Sequence, residues 1–410
     1  MAHPMPNSVV LLDIKADRVD AELQLPLSEL ELAFGHDVNH NSDGLIQRLS
    51  PQLKAYLLQH IHPVSPDGML WIVTVKNMLV QPVQDSPSGP YKELTVHLIL
   101  TPPANGSTRK FTFNYDVIIH QVVSHYSLVS VRQDWDNGLS QDHPYQVGVI
   151  RLDVRSNRIL PLEINIQEGN LWRGFTSMVT LGTRHIAEGT DHLLFLLTLL
   201  LPALLLVAGK GWGKAGGVRY SLVRILKIVT AFTIGHSITL LIGASGWLHF
   251  PGQPIEVLIA ISIFVSAVHA LKPIFPGKEM YIAAGFGLIH GMAFAATLVN
   301  LNLDTGRMAL SILGFNIGIE LMQLFVIGVT IPWLIILSRT AAYSIVRITG
   351  AVFAGIAALA WIAERLLHKA NFVTLLISTV ANYALWMVLL LAIIAVLSIL
   401  IKRKSIIQQY

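Results

Sequence analysis

Residues 185–201 read His185-Ile-Ala-Glu188-Gly-Thr-Asp191-His192-Leu-Leu-Phe195-Leu-Leu-Thr-Leu-Leu-Leu201. Two imidazoles and two carboxyl groups stand directly before an apolar run that continues to Ala208. A charged side chain at a bilayer centre costs about 2.5–3.5 kcal/mol even on the lenient insertion scale, so ionisable groups at a membrane boundary suggest a use. On one continuous helix His185, Glu188 and His192 fall at i, i+3 and i+7, on a single face, with Asp191 adjacent. The stretch predicts the start of a membrane domain whose first helix carries a ligand-bearing face.

Downstream, apolar runs of spanning length fall near residues 189–208, 221–243, 255–272, 280–300, 309–337, 345–365 and 372–401. The expected fold is therefore an α-helical polytopic membrane protein with about seven transmembrane helices, over residues 173–410. Lys210, Lys214 and Arg219 follow the first run, whereas Ser245–Glu256 after the second has no Lys or Arg. Lys272 and Lys278 follow the third, Arg339 and Arg347 the fifth, and Lys402-Arg-Lys404 closes the last. The positive-inside rule makes those basic loops cytoplasmic. It puts residues 1–172 outside the inner (plasma) membrane and the C-terminus inside. The loop Glu364–Lys369 holds two basic residues on the expected outer side, against the trend, with an acidic residue beside them.

Composition agrees with a membrane protein. The chain has 410 residues, 53% hydrophobic and 13% charged, with a mean hydropathy of +0.56; an ordinary soluble protein is about a quarter charged. Cysteine is absent, which excludes disulfides, thiolate metal sites and cysteine nucleophiles. The net charge of +4 comes from Lys and Arg gathered at membrane edges. That pattern argues for topology and against nucleic acid as a partner. The partners expected are the lipid bilayer and a divalent metal ion, with room for a homo-oligomer. The opening Met1-Ala-His-Pro-Met-Pro-Asn-Ser has no basic or apolar leader segment, and its Ala-His start suggests a leader already removed.

Residues 1–172 alternate apolar and polar side chains at period two, as half-buried strands do. The stretches are Val9–Ile14, Arg18–Leu25, Leu70–Val75, Leu94–Leu100, Lys110–Ile119, Tyr126–Val131 and Tyr145–Val154. Pro102-Pro103-Ala-Asn-Gly106 and Asp134-Trp-Asp-Asn-Gly138 are turn signals, while Leu27–Phe34 and Asn41–Gln59 read as helices. A mostly β, sandwich-like extracytoplasmic domain is expected. Histidines are scattered through it, at His3, His36, His40, His60, His62, His97, His120, His125 and His143. Most read as ordinary surface or strand residues; a metal-capture role would rest on His36 with His40, or His60 with His62.

Further polar groups lie inside the later apolar runs. His236 with Ser237 falls about 10 Å below the outer end of the second. His290 sits mid-run in Gly285-Phe-Gly-Leu-Ile-His290-Gly291, where glycines permit close helix approach. Asn316, Glu320 and Gln323 recur at near-helical spacing in the fifth. All fall between midplane and outer surface, so the expected metal-binding set is His185, Glu188, Asp191, His192, His236, His290 and Glu320. Imidazole and carboxylate ligands without thiolates suit Ni, Co or Zn.

These residues are similar to the HupE/UreJ family of membrane proteins. His185-Ile-Ala-Glu-Gly-Thr-Asp191-His192 resembles its His-x5-Asp-His signature. Ala231-Phe-Thr-Ile-Gly-His236-Ser237, Phe286-Gly-Leu-Ile-His290-Gly291 and Phe315-Asn316-Ile-Gly318-Ile-Glu320-Leu-Met-Gln323 resemble its later motifs. The N-terminal region resembles a long branch with an ectodomain. The resemblance implies a secondary nickel permease, with His185, Asp191 and His192 in metal recognition and His290 and Glu320 as further ligands. Small permeases are expected to carry His-Gly-x-Ala-His-Gly-x-Glu, where this chain has His290-Gly-Met-Ala-Phe294-Ala-Ala-Thr. A second reading resembles, in outline, the ceramidase and adiponectin-receptor-type superfamily. It makes the chain an intramembrane zinc-dependent hydrolase for a lipid or amide, with His192, His236 and His290 on zinc and Glu320 or Asp191 as base.

Overall fold

The computed structural model describes residues 6–84, 89–139, 144–244, 252–301 and 303–407, without the side chains of 244, 296–300 and 402–407. His3, His143 and His249 lie outside those described residues. The chain divides into two compact units, Met1–Gly174 and Phe175–Tyr410.

The first unit opens with β1 (Ser8–Ile14), β2 (Val19–Pro26), α1 (Leu27–Phe34), α2 (Leu45–His60) and β3 (Ile61–Val64). It continues through β4 (Ile72–Val83), β5 (Tyr91–Thr101), β6 (Lys110–Tyr115), β7 (Tyr126–Asp134), β8 (Tyr145–Asp153), β9 (Arg158–Ile159) and β10 (Leu162–Asn165). One sheet has the order β4-β5-β2-β1-β7-β8-β9 and another the order β10-β6-β3. Period-two alternation builds the core: Val19, Ala21, Leu23 and Leu25 of β2 turn inward beside Leu94, Val96, Leu98 and Leu100 of β5. Residues of both sheets and both helices share one buried cluster.

One pairing was not legible in the sequence, and one expectation needs correction. The first strand pairs with β7 in parallel, a relation that alternation along single strands does not encode. The stretch Lys110–Ile119 is strand only to Tyr115; beyond it the chain turns, with Ile118 at φ +67°. That left-handed conformation is costly for a β-branched residue. The backbone N–H of Ile118 donates to the Tyr56 hydroxyl at 3.0 Å.

The second unit begins within α3 (Leu171–Glu188) and continues as α4 (Thr190–Ala203), the hairpin β11 (Leu205–Ala208) and β12 (Gly211–Ala215), then α5 (Val218–Ala244) and α6 (Gly252–Leu271). It ends with α7 (Glu279–Asn300), α8 (Thr305–Leu337), α9 (Ala342–Leu367), α10 (Phe372–Ala381) and α11 (Ala384–Ile407). Among the described residues, five helices are long and apolar enough to cross a membrane: α5, α6, α8, α9 and α11. The bent pair α3 and α4 makes a sixth crossing if counted as one. The last expected span, 372–401, is divided at Asn382 and Tyr383. The first is helical only to Ala203, since Leu205–Ala208 pairs as a strand across a turn at Gly209. A short apolar run does not distinguish these states by itself.

Small residues bring the helices together. A Cβ on Gly235 would stand 2.1 Å from the Ala284 carbonyl oxygen, and one on Gly287 would stand 2.1 Å from that of Phe232. The α5–α7 pair therefore packs backbone to backbone, with Gly287-x-x-x-Gly291 as its contact ridge. The same device joins α3 to α8, where Gly182 meets the Phe315 carbonyl and Gly318 meets that of Val179. At the opposite end of α5, Arg224 donates to Glu279 at 2.5 Å and to the Leu205 carbonyl at 2.8 Å. His269 is fully buried there and stacks on Phe275 at 3.8 Å.

Candidate functional site

The helix expected to carry His185, Glu188 and His192 on one face is broken at Gly189, where α3 and α4 meet at 72°. The break brings the two imidazoles to 4.5 Å between ring centroids. It leaves Glu188 exposed. Gly189 has an ordinary φ of −73°; glycine is required there by space. A Cβ would lie 2.6 Å from the His185 carbonyl oxygen and 2.8 Å from Nδ1 of His192.

Asp191 occupies the first turn of α4. Its Oδ1 accepts both the backbone N–H and the Nδ1–H of His192, each at 2.9 Å. With Nδ1 protonated and held, the neutral ring keeps its lone pair on Nε2. That nitrogen is buried and has no hydrogen-bond partner among the described residues.

His290, on α7, lies 5.1 Å from His192 between centroids. The hydroxyl of Ser262 on α6 donates to the Ile259 carbonyl at 2.7 Å. It therefore accepts the Nε2–H of His290 at 3.1 Å. The lone pair of this ring is left on Nδ1, which is also buried and unpartnered. Nε2 of His185 and both ring nitrogens of His236 complete the orphan set. His236 is fully buried, 6.4 Å from His185 between centroids.

Aromatic rings enclose these imidazoles. Phe195 and Phe232 each lie 5.1 Å from His290. Phe294 and Phe315 stack on one another at 4.0 Å and flank His185 at 4.8 and 5.3 Å. Unpaired polar atoms in such surroundings cost about 1–3 kcal/mol each, so five of them on four neighbouring imidazoles is an arrangement suited to a ligand. The packing is loose for a single ion. Among the described residues, the His, Asp and Glu trios with ligand atoms within 4.8 Å of one another lie in the first unit.

Glu320 does not join the imidazoles. Its carboxylate accepts from Thr233 at 2.7 Å, and the Thr233 hydroxyl also lies 3.1 Å from Oε1 of Gln323. Thr233 stands one turn from His236 along α5, towards the helix N-terminus. The Thr230 hydroxyl, nearly one turn further, reaches Glu320 at 3.5 Å. Five of the seven expected residues thus converge, Glu320 forms a neighbouring polar node, and Glu188 stands apart. Sequence reading missed Ser262, Thr233 and the role of Gly189. A hydroxyl in an apolar helix usually bonds its own i−4 or i−3 carbonyl, and nothing in its spacing announces a histidine partner.

Fold and site together define a polytopic membrane protein with imidazoles buried in a helical bundle. The sequence model of the family described as HupE / UreJ protein matches residues 162–365. The chain carries a HupE/UreJ-family membrane region behind an additional N-terminal domain. No curated protein matches it.

Proposed function

We propose that the chain is a secondary transporter for a divalent metal such as nickel or cobalt, in keeping with a family associated with metal uptake. His185, His192, His236 and His290 receive the ion, Asp191 orients His192, and Glu320 with Thr233 and Gln323 takes it onward. The observation that carries this reading is the pair of anchored rings, His192 and His290. Each commits its N–H to the protein and leaves a bare lone pair on a buried ring, the two rings 5.1 Å apart between centroids. The spread of the imidazoles supports carriage, since a cargo must be released as well as bound. The polar steps His236, Thr233 and Thr230 lead along α5 towards its N-terminal, basic end. That end follows the Lys210, Lys214 and Arg219 segment, which we read as cytoplasmic.

In this reading the protein lies in the inner (plasma) membrane, with the N-terminal domain outside. Helix α7 supplies a further crossing in addition to the bent pair and the five long apolar helices. An intramembrane hydrolase would need three ligand atoms closed around one zinc with an open fourth position; the loose imidazole spacing does not support it. The test is uptake of nickel, cobalt and zinc into proteoliposomes, with elemental analysis of the purified protein. Saturable entry of one of these ions is expected. Bound metal without entry into the vesicles would overturn the transport reading.

A further inference from the structure

The first unit contains an imidazole pair that the membrane site does not use. His60 ends α2, and the β3–β6 pairing sets it opposite Asp116, whose backbone N–H donates to the His60 carbonyl at 3.2 Å. The turn through Ile118 then returns His120 to the same place, its backbone N–H donating to the Asp116 carbonyl at 3.0 Å. The two rings stack at 4.0 Å and 18°.

Asp116 orients both rings. Nδ1 of His60 donates to its Oδ1 at 2.7 Å, and Nδ1 of His120 donates to its backbone oxygen at 3.1 Å. In neutral rings both lone pairs therefore fall on Nε2, and among the described residues neither Nε2 has a hydrogen-bond partner. Both Nδ1 atoms turn to Asp116, so each Nε2 lies on the edge of its ring away from that hydrogen bond. An imidazole–metal bond is about 2.0–2.1 Å and lies in the ring plane, so the stacked rings, 4.0 Å apart and 18° from parallel, turn towards one another to share an ion. Nδ1–H held by a carboxylate or carbonyl, with Nε2 left for the ion, is the usual support of a metal-ligating histidine. One atom from each of the three residues lies within 4.8 Å of the others, and all three residues are partly open to solvent.

The spacing that drew attention in the sequence is not the one used. His62 turns outward and bonds the Gln59 carbonyl at 2.9 Å. The other trio, Glu31 with Asp37 and His40, fastens a loop: Glu31 already accepts the backbone N–H groups of Val38 and Asn39 at 3.0 and 2.7 Å.

We propose that His60 and His120, positioned by Asp116, form a second binding site for a divalent transition ion of the Ni, Co, Cu or Zn type. This site belongs to the N-terminal unit and does not depend on the membrane imidazoles. The test is equilibrium dialysis of nickel and zinc chloride against the full chain in detergent, carrying His192→Ala to weaken the membrane cluster. One ion per chain is expected. His120→Gln, which changes a turn residue, should weaken binding at least tenfold, and His60→Gln likewise. Asp116→Asn should reduce affinity less, by lost orientation. Thermal unfolding without metal shows whether each variant folds, and only folded variants are compared. Full binding in both histidine variants, or no bound ion in the parent, would overturn the proposal. Proteoliposome uptake by His120→Gln in the otherwise wild-type chain separates the two sites: unchanged uptake with lost dialysis binding leaves the transport reading intact.

Discussion

One oxygen of Asp191 fixes its neighbour His192 twice, through the backbone N–H and through Nδ1, both at 2.9 Å. Replacing it by Asn leaves a group that can present an amide to the ring instead of an acceptor, and the lone pair on Nε2 is no longer secured. Loss of such an orienting partner costs about 10–100-fold in metal affinity. Asp191→Asn and His192→Ala are therefore expected to abolish nickel or cobalt uptake by cells while the protein still inserts. Isotope uptake with immunoblotting of membranes checks both, and normal uptake in the two variants would contradict the transport reading.

Gly189→Ala places a methyl against the His185 carbonyl and the His192 ring. Neither can move without opening the break between α3 and α4, so uptake should fall to a few per cent or less. Gly285→Ala is the control. Its Cβ meets nothing within 4 Å, and alanine favours a helix by about 1 kcal/mol over glycine. Activity and thermal stability of that variant should match or exceed wild type.

The first unit should lose stability in acid through His125. This buried ring shares a 2.8 Å hydrogen bond with Ser8 and lies 3.6 Å from Glu29. Burial lowers its pKa from 6.5 to about 4. The unfolded chain therefore takes up this proton first, and stability falls as pH drops from 6.5 to about 4. Burial raises the Glu29 carboxyl, so its contribution is complete below about 4.5 and is lost as pH rises through the folded value. The two act in opposite senses, and comparison with His125→Gln at each pH isolates the histidine. Relative to that variant, wild type should lose roughly 3 kcal/mol across the window. Thermal unfolding of both chains between pH 7.5 and 4.5 measures it, and parallel curves would refute the assignment.

The absence of cysteine makes topology directly measurable. Val154→Cys, on a residue 85% exposed, should react with an impermeant maleimide in spheroplasts. Lys210→Cys, in the turn between β11 and β12, should react only after permeabilisation. The reverse pattern would invert the orientation.

Much of this was legible in the sequence because single-chain periodicity records burial. Leu27–Phe34 is α1 to the residue, and the alternation of β2 and β5 predicts their inward faces. The three histidine-bearing motifs, around His185–His192, His236 and His290, also pointed to one cluster, since buried imidazoles without partners are unfavourable. Three features were not legible. The parallel pairing of β1 with β7 depends on a partner more than a hundred residues away. The break at Gly189 looks like helix to any pattern of apolar spacing, because the glycine is demanded by His185 and His192 and not by its own φ. The pairing of His60 with His120 arises from a turn through Ile118 in a conformation that its residue type disfavours.

That break has an electrostatic consequence. A helix ending inside the unit presents the negative end of its dipole, and one beginning there presents the positive end. The last turn of α3, which bears His185, therefore offers a cation a favourable field, while the positive start of α4 is answered by Asp191. An ion among these rings would be drawn by backbone polarity as well as by lone pairs. Straightening the pair into one rod would remove that attraction even with every side chain retained.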